Sequence, residues 1–144
     1  MKEKRRDAFW LPSLVLFFIG VLDVIRGVLH TFLLNWSAAH IAKFDRTTPM
    51  DQLFLLGAFG ISNYLTGFIY VLISRKAREL SPYVLILVPS AYLLGLMGIW
   101  SGHVHAHAAF KGRYFMFVYF GICVLAFGIF LVQKAARQKP RSKS

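Results

Sequence analysis

Four runs of apolar residues, at about 11–36, 52–74, 82–103 and 114–133, leave little of this 144-residue chain for anything else. Each is about the length of helix that crosses a hydrocarbon core of about 30 Å. Backbone amides cannot be left unpaired in lipid, and a helix satisfies them within one segment. The runs therefore predict an all-α integral membrane protein, a bundle of four transmembrane helices forming a single domain over 1–144. A hydrophobic content of 57% and a mean hydropathy of +0.56 agree with this and disfavour a soluble domain.

The formal net charge of +11 would by itself suggest a nucleic-acid partner, so its placement decides its meaning. Lys2, Lys4, Arg5 and Arg6 precede the first run, and Arg75, Lys76 and Arg78 separate the second from the third. Lys134, Arg137, Lys139, Arg141 and Lys143 follow the fourth. The two alternate loops carry only Lys43, Arg46, Lys111 and Arg113, so twelve basic residues face four. That alternation predicts cytoplasmic N and C termini, with a basic tail at 134–144 in contact with anionic lipid, in a multi-pass protein of the plasma or inner cell membrane. It argues against nucleic acid as a partner. The first run is too long, and too interrupted by charge, for a cleaved signal peptide, so retention is expected. A lone Cys123 in the middle of the fourth run excludes a disulfide framework within one chain.

Punctuation at the span ends is ordinary helix chemistry. "TTPMD" offers Thr48 as N-cap, Pro49 at the first helical position and Asp51 in the first turn, and "LSPY" offers Ser81 and Pro82 in the same roles. Pro89 is expected to loosen the third span near its middle. The "AAHIAKF" segment predicts a short interfacial helical turn with Ile41 and Phe44 on one side. Small residues mark close helix approach: Ala91, Gly95, Gly98 and Gly102 on the third span, Gly57, Gly60 and Gly67 on the second, Gly121 and Gly128 on the fourth.

Against this background "DVIRGVLH" (23–30) is anomalous. Asp23, Arg26 and His30 share one helix face, with Asp23 near mid-span and His30 roughly 10 Å further toward the outer side. Each ion at that depth costs about 2.5–3.5 kcal/mol on insertion scales, and an intrahelical pair returns only tenths of a kcal/mol. Aligning the other spans by depth brings Asn63, Tyr64, Tyr92 and Tyr119 to the same level, giving a candidate ligand-binding layer with Asp23, Arg26 and His30. Donors exceed acceptors there, since Arg26 alone offers five N–H groups. The layer suits an anionic or carbonyl-bearing ligand, or else a closed network that fixes the fold.

A second constellation, "SGHVHAHAAF", alternates His103, His105 and His107 at the outer end of the third span. In a continued helix His103 and His107 would lie one turn apart, a spacing that lets two imidazoles share a metal. In an extended chain all three would point the same way, and with His30 they form a candidate set for a metal ion or haem, the other readings being a solvated loop and a pH sensor or proton relay. No hydrolase, metalloprotease or phosphate-loop motif is present, so the chain does not read as an enzyme of those classes. Three readings follow: a protein that binds or transports a small ligand or ion at the polar layer, expected as a homo-oligomer; an accessory or assembly subunit of a larger membrane complex; and a His-ligated metal or haem redox protein.

Overall fold

The computed structural model describes residues 2–42, 44, 50–103 and 112–138, with the side chains of 2–7, 112, 113 and 138 left aside. Every described element is helical. In order these are α1 (Lys2–Thr31), a short α2 (Leu34–Ser37) running into a π-helical turn (Ala38–Ala42), α3 (Met50–Lys76), a 3-10 turn (Arg78–Leu80), α4 (Ser81–Ser101) and α5 (Gly112–Gln138). Four of them, α1, α3, α4 and α5, are long and apolar enough to cross a membrane. This is the build of a multi-pass membrane protein. Side chains such as Phe54, Leu65, Leu94, Phe115 and Val132 lie well exposed on the outside of the bundle, as hydrocarbon-facing positions do.

The helices run alternately up and down. α1 starts, α3 ends, α4 starts and α5 ends at one pole, here the terminal pole; the opposite is the loop pole. Aromatic contacts tie the terminal pole together, with the Phe9 and Phe130 ring centroids 5.4 Å apart and Tyr83 edge-on to Phe130. A buried hydroxyl pair joins α1 to α4, Ser13 Oγ lying 3.2 Å from Ser81 Oγ while Ser13 donates to the Phe9 carbonyl. Ser81 therefore does not act as the expected N-cap. α4 begins at Ser81 with Leu80 in the cap position and no side-chain cap bond. In a dry interface a hydroxyl does more for a neighbouring helix than for a terminus that a 3-10 turn already continues.

α1 is the most buried of the four and the only one packed closely on the other three. Its contact with α3 is set by glycines. A Cβ on Gly20 would lie 2.8 Å from the Gly67 carbonyl oxygen, and one on Gly67 would lie 2.7 Å from that of Gly20. Further along, Tyr64 lies flat against Gly27, and Gly60 admits His30 and Thr31. α4 and α5 join α1 through a core of Leu16, Ile19, Leu85, Val88, Cys123 and Ala126 in the terminal half. Beyond it they go uncovered. From Leu93 to Trp100 on α4, and from Tyr114 to Val118 on α5, no residue is buried.

That distribution divides the expected small-residue stripes: Gly60 and Gly67 of α3 meet α1 closely, as expected. On the α4 stripe Ala91 and Gly102 are exposed, and a Cβ at Gly95 or Gly98 meets no atom of the described residues within 4 Å; the same holds for Gly121 and Gly128. Close approach is used instead between α1 and α3. Other expectations resolve similarly. Pro89 is buried inside a continuous α4, with Ser90 donating to the Ile86 carbonyl. α1 ends at Thr31, five residues short of the expected 36, because α2 and the π turn double back over the loop pole. Asp51 stands in the first turn of α3 as expected, while Thr48 and Pro49 lie outside the described residues.

Candidate functional site

Just above the apolar core, one turn past Ile19, α1 presents Asp23, which is 4% exposed. The helical spacing returns Arg26 to the same face, and its Nη1 donates to Asp23 Oδ1 at 3.2 Å. The other carboxylate oxygen accepts from the Tyr119 hydroxyl of α5, also at 3.2 Å. Asp23 is therefore not a self-cancelling intrahelical ion. It joins α1 to α5, residues 96 apart in sequence. Thr66 of α3 donates to the Ser62 and Asn63 carbonyls, and Tyr70 packs against the apolar core.

Arg26 is held more loosely. Its guanidinium carbon lies 5.6 Å from the centre of the Phe59 ring on α3, a cation–π placement. One of five N–H donors is spent on Asp23, and the side chain remains 31% exposed. Asn63 lies between Phe59 and Thr66 on the same face of α3. It is 5% exposed, and its Nδ2 is buried without a hydrogen-bond partner. An amide N–H left orphaned in an apolar interior costs about 1–3 kcal/mol. The layer thus has both carboxylate oxygens occupied and several donors left over.

The remaining residues of the expected layer divide. Tyr119 is in it. Tyr92 is half-buried on the apolar core and packs on Phe120, with ring centroids 5.0 Å apart. Tyr64 turns to α1 at Gly27, its hydroxyl 3.0 Å from Thr31 Oγ1. His30 is 6% exposed, with Nδ1 2.6 Å from Ser37 Oγ and its ring near Phe59. It holds the α2 cap, whose Ser37, Ala38 and Ala42 are buried, onto the loop pole.

Phe59, Thr66 and Tyr70 were not singled out from the sequence, yet a signal for them exists. Phe59, Asn63, Thr66 and Tyr70 fall at i, i+4, i+7 and i+11, one stripe of α3. Extending the helical period in both directions from Asn63 would have found all three. Ser37 carried no such signal, because its partner His30 is met only through the reversal of the chain.

Of the histidine cluster only His103 lies within the described residues. α4 ends at Ser101, and His103 follows in a turn with φ of 56°. The helix of α4 therefore does not continue through His103. His103 is exposed; His105 and His107 lie outside the described residues. Compared with known proteins, the chain matches no protein family, no curated protein and no solved structure.

Proposed function

We propose that this protein resides in a cell membrane with both termini cytoplasmic and binds a small ligand, through an anionic or carbonyl group, at the Arg26 layer. The orientation follows from the twelve-to-four distribution of basic residues between the two poles. One observation carries the ligand reading: with each Asp23 carboxylate oxygen already engaged, Arg26 and Asn63 keep unspent N–H donors among the described residues. A network that served only to lock the helices would be expected to close. A ligand acceptor would complete it, with Asp23 fixing the guanidinium and Tyr119 fixing Asp23. Access is from the side of the bundle, where Arg26 is part-exposed, because the α2 cap tied to His30 covers the loop pole.

Native mass spectrometry of the wild-type protein and of Arg26→Gln and Asn63→Leu tests this. A stoichiometric co-purifying carboxylate, phosphate or carbonyl compound that both variants lose is the supporting result. Identical spectra for all three proteins would remove the ligand reading.

A second reading, assembly with further copies or other subunits, is favoured by the uncovered Ala91–Gly95–Gly98 stripe of α4. Small residues of this kind give close interhelical packing in lipid. Gly95→Leu and Gly98→Leu should then reduce the assembled mass measured in detergent, and an unchanged mass would count against it.

A further inference from the structure

A second polar feature lies at the terminal pole, away from Arg26, and neither reading above makes use of it. Between α1 and the end of α3 is a cavity of about 210 Å³, with Arg75 and Arg78 in its lining. No carboxylate among the described residues pairs with either arginine. Its long wall is α1, which contributes Trp10, Leu14, Phe17 and Phe18. Trp10 to Phe18 is eight residues, about 12 Å along the helix axis. The cavity therefore sets two cations against an aromatic-aliphatic wall.

The hydroxyls beside it are already committed. Ser13 donates to the Phe9 carbonyl and meets Ser81, and Ser74 donates to the Val71 carbonyl. Recognition thus falls to the arginines. The Arg75 guanidinium stands over the Phe17 ring at 4.4 Å, which fixes its plane, and no hydrogen bond among the described residues engages its N–H edges. A guanidinium so held, with a second arginine beside it, matches a phosphate oxyanion.

We infer that this groove is a binding site for one anionic phospholipid, its phosphodiester on Arg75 and Arg78 and its acyl chain along Leu14, Phe17 and Phe18. A soluble anion would engage the arginines equally well but would leave the apolar wall without a role. The inference rests on the membrane placement proposed above and not on the Arg26 site.

The test uses full-length protein with Trp36→Phe and Trp100→Phe, so that Trp10 alone reports, in nanodiscs of phosphatidylcholine with brominated phosphatidylglycerol or brominated phosphatidylcholine. High salt screens the exposed charges of this pole. Brominated phosphatidylglycerol should quench Trp10 at a mole fraction at least about tenfold lower than the choline lipid, the ratio that one hydrogen bond to a charged group supports. Arg75→Gln/Arg78→Gln should abolish the preference. Lys76→Gln/Lys134→Gln removes the same charge at the same pole but does not line the groove, and should leave the preference intact. Equal quenching by the two lipids overturns the proposal, as does equal loss in both double variants. Release of the quench by inorganic phosphate would assign the arginines to a soluble anion and also overturn it. No quenching by either lipid would overturn the membrane placement itself.

Discussion

Replacing Gly67 by alanine adds one methyl group where two backbones meet. Its Cβ would lie 2.7 Å from the Gly20 carbonyl oxygen, 2.8 Å from Val24 Cγ2 and 2.9 Å from the Val24 amide nitrogen. The valine methyl can rotate away, but the two backbone atoms cannot. Relief requires α1 and α3 to separate by about 0.7 Å, the difference between 2.7 Å and the 3.4 Å at which ordinary van der Waals contact begins. Overpacking of this kind costs about 1–3 kcal/mol. Alanine returns up to about 1 kcal/mol through helix propensity. The net expectation is a loss of about 1–2 kcal/mol. Gly98→Ala is the matched control, since its Cβ meets nothing within 4 Å and only the propensity gain remains. Reversible unfolding in mixed micelles, followed by circular dichroism, should therefore place Gly67→Ala below wild type and Gly98→Ala at or above it. Equal midpoints for the two variants would refute the claim that the α1–α3 contact is set by backbone approach at glycine.

Further outcomes follow from the site. Tyr119→Phe removes a hydrogen bond to a buried carboxylate and should lower stability by about 1.5–3 kcal/mol in the same unfolding assay. Arg26→Leu leaves Asp23 as an uncompensated buried charge, so it should be more damaging than the double variant Asp23→Asn/Arg26→Leu; a double-mutant cycle showing additivity would contradict the coupling. Asn63→Leu should keep or raise stability, by up to about 3 kcal/mol, because it removes an orphaned donor, while abolishing ligand retention. For orientation, a maleimide that cannot cross the membrane should label Ser101→Cys from outside intact cells and Lys134→Cys only after permeabilisation.

The four long helices were legible because each carries its own signal: an unbroken apolar run long enough to pair all its backbone groups within itself. The anomaly at Asp23, Arg26 and His30 was legible for the same reason, since a charge in such a run is conspicuous without any knowledge of its neighbours. The helical period from Asn63 to Thr66 and Tyr70 was also available, though only a decision about which face of α3 turns inward gives it meaning. Which glycines meet backbone and which face outward was not available. Gly67 and Gly98 are equally small, and the difference between them belongs to the helix opposite.

The sequence by itself determined the number of long helices, the approximate extent of each apolar run, the alternation of charge between the intervening segments and the presence of an acid and a base at mid-span, all of which are properties of one segment at a time. Only the tertiary structure decided that Asp23 is shared with Tyr119, that His30 holds a cap at Ser37, and that α4 leaves its glycine stripe uncovered. It also decided that Arg75 and Phe17, far apart in the chain, make one wall of a groove. The physical reason is common to these cases. Helix formation in an apolar segment is a local balance of backbone hydrogen bonds, whereas the partner of a side chain depends on the rotation and depth at which two finished helices meet.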